Sequence, residues 1–399
     1  MLKVCGPNPA GKAAMNLDFS AADEAFRAEA RSWLRDNVPR ERRPEDGREM
    51  RDFDMAWQRR QYDGGWAGIA WPKEYGGRGL PVAQQLIWYE ELAKAGGPEL
   101  GVALVGLSHG GPTLIARGTP EQKAFHLPKI LKGDVVWSQG FSEPGAGSDL
   151  ASLTTRGVVD GDHIVVTGSK IWTSYAHLSD YQELLVRTDP DSRRQSGLTW
   201  MICDMRTPGI TIRPIQFING EHHFNQVFYD EVRVPIANVV GEIGEGWSVA
   251  MSTLSFERGT GFTQAQIELA QFVDEMVKRA ARPRDRSGKT WLDDPAMAKK
   301  LARLRADVGA LRAMTYASVS RNMRRDQPGP DGSLVKLLLA QLRQESQRIS
   351  MELLGADFAT MNDDTALYLR TFQRSVGGGT NEIQMNIIAQ RVLGLPKSY

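Results

Sequence analysis

The run Val158-Val159-Asp160-Gly161-Asp162-His163-Ile164-Val165-Val166 decides the architecture of this chain. Two β-branched runs flank a short Asp-Gly-Asp break, the pattern of a hairpin. Further strand candidates follow at residues 184–186, 198–203, 210–215 and 226–229, separated by Asp, Pro, Gly and Asn. Short strands crowded together without intervening helices imply an antiparallel sheet or barrel.

Outward from that block the pattern turns helical on both sides. Before it, Ser20 is a candidate cap for a helix with Phe26, Ala30 and Trp33 on one face, ending at Pro39. A second apolar run, residues 84–95, follows Pro81 and stops at Gly96-Gly97. A third begins near Pro120 and is expected to end before Pro128. After the block, Ile267, Ala270, Val273 and Val277 form one stripe. Leu301, Leu304, Val308 and Leu311 form another, and Leu334, Leu338 and Leu342 start a third. Breaks are expected at 283–295 and 327–332.

The expected fold is therefore α+β. Residues 15–136 form an N-terminal helical domain, 137–242 a middle antiparallel β domain and 243–399 a C-terminal helical bundle. Residues 1–14 read as a leader or disordered extension. A length of 399 residues suits several cores rather than one.

Composition narrows the function. The 49 basic and 48 acidic residues leave a net charge of +1. A nucleic-acid binder would carry a large clustered basic excess. Two cysteines, Cys5 and Cys203, form neither a disulfide framework nor a metal cluster. They fit a reducing interior, and the start holds no secretory signal, so a cytoplasmic location is expected. No stretch is apolar over the ~18 residues a membrane span needs. His222-His223 lacks the companions of a metal site, so no metal is expected.

Four stretches carry chemistry. In Ser142-Glu143-Pro144-Gly145-Ala146-Gly147-Ser148-Asp149, small residues let backbone approach a ligand; an interdomain turn explains it as well. In Ile171-Trp172-Thr173-Ser174, a tryptophan beside hydroxyls suits a flat conjugated ring, though a core tryptophan reads the same. Leu254-Ser255-Phe256-Glu257-Arg258-Gly259 opens the third domain; a surface ion pair is the ordinary fate of such a Glu. In Gly377-Gly378-Gly379-Thr380-Asn381-Glu382-Ile383-Gln384, Thr380 caps a helix beside free glycine N–H groups, an anion site.

In this order and spacing the stretches resemble the acyl-CoA dehydrogenase family. The segments 143–149, 168–174 and 379–384 match its signatures. Trp71-Pro72-Lys73-Glu74-Tyr75-Gly76-Gly77 and Arg391-Val392-Leu393-Gly394-Leu395-Pro396 are typical of a bacterial branch. The likeness covers roughly residues 17–396.

The resemblance implies FAD, an acyl-CoA substrate and a trans-2-enoyl-CoA product. A carboxylate would take the α-proton and flavin N5 the β-hydride, with an electron-transfer flavoprotein as acceptor. Position by position it implies that Gln139, Phe141, Ser142, Gly147 and Ser148 line the cofactor. Trp172, Thr173 and Ser174 would do the same at the isoalloxazine. Thr380 and Glu382 would face the adenosine half, and Arg284 would reach the FAD of a neighbouring subunit. Ser148 and Arg258 would also meet the substrate.

Two departures shape the expectation. The position that holds the base in many members is Gly378 here, which cannot act as one. A minority carries Glu before Arg on the first helix of the third domain, and this chain has Glu257-Arg258. Glu257 is thus the expected base, with the backbone N–H of Gly378 on the thioester oxygen. The subunit-bridging R-x-x-F-G segment is altered at Ser287, and Q-x-x-G-G becomes Glu352-Leu353-Leu354-Gly355-Ala356. Those changes leave three readings: an active dehydrogenase as a homo-oligomer or mixed oligomer with a related chain, a silent partner subunit, or a flavin oxidase or monooxygenase.

Overall fold

The computed structural model describes residues 19–256, 262–284, 286–322 and 331–396. The first helix, α1 (Ala21–Asn37), starts at a reciprocal cap: the Ser20 hydroxyl accepts from Asp23 N–H, and the Asp23 carboxylate accepts from Ser20 N–H. Phe26, Ala30 and Leu34 are buried at i, i+4 and i+8. Trp33 is half-buried, within a tryptophan cluster with Trp57, Trp66 and Trp88. Helix α2 (Gly47–Asp63) supplies Trp57 and α3 (Val82–Lys94) supplies Trp88. Arg27 of α1 bonds both Glu90 and Glu91 of α3, so two buried carboxylates have a cation.

One expectation fails here. After α4 (Gly111–Arg117), α5 (Pro120–Lys132) continues through Pro128 instead of ending before it. Pro128 faces solvent, so the carbonyl it leaves unpaired is on the wet side. Leu127, Ile130 and Leu131 are buried on the other side and hold the last turn. The helix closes on Gly133 at φ +73°.

The middle domain is a seven-stranded sheet in the order β1-β4-β2-β3-β7-β6, with β5 on β4. The strands are β1 (Trp137–Gly140), β2 (Arg156–Asp160), β3 (His163–Ser174), β4 (Tyr181–Arg187), β5 (Leu198–Asp204), β6 (Ile210–Ile215) and β7 (Phe224–Pro235). The deciding hairpin is present: Val158 pairs with Val165, and Gly161-Asp162 make the turn. Pairing is antiparallel except along β4, where β1 runs parallel and Arg156 of β2 meets Arg187. Strand β1 has only four residues, too few to show an alternation in the sequence.

Strand β4 is buried on both faces. Leu184 and Val186 join Ile164, Met201 and Val227 in the sheet's own core. Leu185 points the other way, into a cluster with Trp137, Trp200, Leu131 and Val249 that glues the sheet to helices. Val249 belongs to α6 (Gly246–Phe256), which is tied to α4 by a hydrogen bond between Thr113 and Thr253 at 2.9 Å.

The C-terminal bundle follows: α7 (Phe262–Ala280), α8 (Pro295–Asn322), α9 (Asp331–Leu354), α10 (Asp363–Arg374) and α11 (Asn381–Ile387). Leu301, Leu304, Val308 and Leu311 are all buried, as their spacing requires. On α9 the buried line is Val335, Leu339 and Leu342; Leu334 and Leu338 are only half-buried. That helix contacts α7, α8, α10 and α11, so one stripe does not describe it. Among the described residues no helix is long and apolar enough to cross a membrane.

Candidate active site

Two of the four chemistry-bearing stretches are locked together by a buried ion pair. Lys170 Nζ on β3 donates to Glu143 Oε1 at 2.8 Å and to the Phe141 carbonyl at 3.0 Å. The Glu143 carboxylate also accepts from Thr154 N–H at 2.7 Å, Thr154 Oγ1 at 2.9 Å and Thr155 N–H at 2.8 Å. Ile171 N–H donates to the Ser142 carbonyl at 2.8 Å. Burial works to raise the Glu143 carboxyl, but Lys170 and the threonine donors win and hold it at about 2. Burial pulls the Lys170 ammonium down to about 8, against the pull of Glu143. Both groups therefore stay charged at neutral pH, and the backbone of Phe141 and Ser142 is fixed on β3.

Beyond the lock, Glu143 and Ala146 exchange backbone bonds at 3.0 Å and throw Gly145 and Gly147 outward. Neither glycine has a positive φ, and an added Cβ on either would meet nothing within 4 Å. Neither backbone strain nor packing against the described residues calls for glycine there. The open space over both glycines lets another molecule approach the backbone, which fits a ligand-facing loop. Ser148 is exposed beside them. A cleft of about 460 Å³ opens here, lined by Pro144, Gly145, Ser152, Thr154, Ser169 and Phe228.

Trp172 is not a core tryptophan. Its side chain is 54% exposed, and its backbone is left-handed at φ +60°. It stands in an irregularity of the β3–β7 ladder between Lys170 and Thr173. A bulky residue in that region is strained, and such strain concentrates at functional sites. Phe224 braces the ring by an edge contact at 6.4 Å. The next residue, Thr173, is buried, its hydroxyl without a hydrogen-bond partner among the described residues, and Ser174 is half-buried. An exposed flat ring, an unsatisfied hydroxyl and a backbone pinned at Phe141–Ser142 suit a planar heteroaromatic cofactor such as a flavin.

The C-terminal loop is built as the sequence suggests. Thr380 caps α11, its hydroxyl accepting from Ile383 N–H at 3.2 Å. Gly378 and Gly379 adopt φ +67° and +85°, which other residues resist. Gln384 has a structural role that its place in the motif does not reveal. It donates to the carbonyls of Gly378 at 3.0 Å and Gly379 at 3.3 Å and so orients both peptides. Lys336 of α9 donates to Gly379 O at 2.6 Å. Glu382 is exposed in the first turn. These bonds tie the loop to α9 rather than to Trp172.

The remaining sites fall apart or lie elsewhere. Glu257 and Arg258 are outside the described residues, which resume at Phe262. Gln139 is on β1, where its amide donates to Glu183 at 2.7 Å and lies 3.2 Å from His109. Arg284 is on an exposed loop with its guanidinium 3.7 Å from the Trp291 ring, beside a second cleft of about 470 Å³ that Ser287 and Lys289 also line. His222 meets Asp46 at 2.8 Å, stapling the middle domain to the start of α2. His177 is 3.7 Å from the same carboxylate, a partner that sequence spacing could not reveal.

Comparison with known proteins agrees with the architecture. Three family descriptions match in order: "Acyl-CoA dehydrogenase, N-terminal domain" at 20–134, "middle domain" at 138–232 and "C-terminal domain" at 244–393. The chain belongs to the acyl-CoA dehydrogenase family, a family of oxidoreductases. It is 41% identical to the acyl-CoA dehydrogenase IpdE1 of Mycobacterium tuberculosis over 386 residues, covering 94% of this chain and 98% of that one. Among solved structures it resembles the "Tcur3481-Tcur3483 steroid ACAD" (TM-score 0.83, 33% identity, 96% of this chain and 100% of that one). It also resembles a chain of the ChsE4-ChsE5 complex from Mycobacterium tuberculosis (TM-score 0.81, 32% identity, 96% and 100%).

Proposed function

We propose that this acyl-CoA dehydrogenase binds FAD and oxidises an acyl-CoA to a trans-2-enoyl-CoA, with Glu257 as the base. One observation carries the cofactor: the Glu143–Lys170 lock presents a strained, exposed Trp172 beside the unsatisfied Thr173 hydroxyl. Phe141, Ser142, Gly147, Ser148, Trp172, Thr173 and Ser174 would hold the flavin ring side. Thr380 and Glu382 would hold the adenosine side, with Arg284 reaching across to a neighbouring subunit. When bound, FAD supplies a two-electron acceptor for the β-hydrogen and its electron pair.

The chain's own residues supply the rest. Glu257 takes the α-proton, and the electrons left on the α-carbon form the α,β double bond as the β-hydrogen leaves. Gly378 offers its backbone N–H to the thioester oxygen, and Gln384, bonded to the Gly378 carbonyl, orients the peptide that follows it. Arg258 and Ser148 would contact the CoA ester, and an electron-transfer flavoprotein would take the electrons onward.

The likeness to the Tcur3481-Tcur3483 and ChsE4-ChsE5 structures supports assembly with a second, related chain. The Ser287 and Glu352 departures favour the same reading. The test is direct. The purified protein, with its partner chain where one is needed, should carry FAD, and an acyl-CoA should bleach its ~450 nm band without oxygen. Absence of FAD from every preparation would overturn the proposal.

A further inference from the structure

Charged side chains from all three domains converge beside the proposed site, and the mechanism above uses none of them. Glu99 follows α3, Glu221 lies between β6 and β7, Glu268 is on α7, Arg343 on α9, and Arg370 and Arg374 on α10. Arg370 grips Glu221 through two nitrogens. Arg374 is 4.0 Å from Glu99, and Arg343 is 3.7 Å from Glu268. Gln264 ties Glu268, at 3.0 Å, to the Gly97 carbonyl at 3.2 Å.

Three links run from this cluster towards the proposed site. Trp172 touches Phe224, Phe224 touches His223 at 5.3 Å, and His223 faces Glu221 at 3.6 Å, so the chain of contacts runs from Trp172 to Arg370. Arg374 is four residues before Gly378. Glu268 is six residues into α7, roughly 9 Å of helix from its start, and α7 follows the segment that holds Glu257.

Two of the cluster's three pairs are looser than the tight buried pairs of the N-terminal domain, and one of them, Arg374–Glu99, is partly open to solvent at 44% and 56% exposure. Arg43 and Asp54 close to 2.6 Å, and Arg27 and Glu90 to 2.8 Å. Arg343 and Arg374 instead stand outside hydrogen-bond distance of the carboxylates they face. Arg343 is largely enclosed, its side chain 18% exposed, with a bond to the Ala265 carbonyl at 3.4 Å. Burial, then the charge of Glu99, pushes Glu268 up to about 7, so this wall presents donors rather than full negative charge. A plain alkyl chain pressed against such a wall would strip water from guanidinium groups and return no acceptor.

We infer that the acyl group of the substrate carries a hydrogen-bond-accepting oxygen remote from the thioester, held by Arg343 and Arg374, with Arg370 fixed beside them by Glu221. The chemical class is a hydroxy-, oxo- or carboxy-acyl-CoA. This rests on the acyl-CoA reading above.

The test is calorimetric binding of trans-2-enoyl-CoAs, which are products and are not turned over, to the purified FAD-loaded protein, with its partner chain where one is needed. Matched chains end in methyl, hydroxyl or carboxylate. An oxygen-ended ester should bind roughly tenfold tighter than its methyl-ended match. Which oxygen end binds best distinguishes a hydroxyl from a carboxylate substrate. Arg374→Gln should collapse the ratio towards one, and Arg374→Lys should keep part of it. Methyl-ended esters binding as tightly as the others to the wild type would overturn this inference alone. Binding of no ester, with no bleaching by any acyl-CoA, would overturn it together with the acyl-CoA reading.

Discussion

The Lys170 ammonium lies 2.8 Å from the Glu143 carboxylate, and both side chains are sealed from solvent. Removing one partner leaves the other buried and uncompensated. Lys170→Met should therefore cost about 3–5 kcal/mol in a urea unfolding curve, more than any exposed pair would. An unchanged midpoint would show that the lock holds nothing.

The same pair sets an acid limit. Glu143 is held at about 2, below its ordinary 4.5. A carboxyl depressed by folding contributes stability that is complete above 4.5 and lost as pH falls from there towards 2. The contribution is about 3 kcal/mol. Stability measured against pH should fall through that window, and Glu143→Gln should flatten the slope. Equal slopes in both proteins would refute the assignment.

Trp172 separates a ligand-facing role from a packing role. A core tryptophan reduced to a small residue costs about 3–5 kcal/mol. Trp172 is exposed and left-handed, a conformation that asparagine tolerates. Trp172→Asn should leave the flavin-free protein within about 0.5 kcal/mol of wild type. It should also weaken flavin retention at least tenfold, read from the fluorescence of released FAD. A large loss of stability with retention unchanged would make it a packing residue.

The altered bridging segments predict a stoichiometry. Ser287 replaces the aromatic residue of the subunit-bridging segment, and Glu352 is occupied by Lys300 at 2.6 Å. Purified alone, the chain should hold less than one FAD each. Co-expressed with a related second chain, it should form a mixed oligomer visible in native mass spectrometry. Full flavin loading of a homo-oligomer would contradict this.

Much of the fold was legible because the hydrophobic period changes twice along the chain. The 158–166 hairpin and the α8 stripe depend only on neighbours in sequence. What escaped depends on partners far away. Strand β1 is four residues long and pairs in parallel, so no local alternation marks it. The helix through Pro128 survives because Leu127 and Leu131 pack on other domains' residues. Glu143 and Lys170 stood inside recognised motifs, yet 27 residues separate them and only the β3 geometry makes them a pair. The unused arginines on α9 and α10 are unremarkable in sequence, since their common wall comes from three domains. Gly378 is the opposite case, since a motif position without its carboxylate is visible in the sequence alone.

The central claim is that Glu257 removes the α-proton. The decisive measurement is anaerobic bleaching of the flavin by an acyl-CoA in wild type and Glu257→Gln, with FAD content checked in both. Glu257→Gln should keep its flavin and bleach roughly 10²–10⁴-fold more slowly, the range expected for loss of a general base. Bleaching at the wild-type rate would contradict the account.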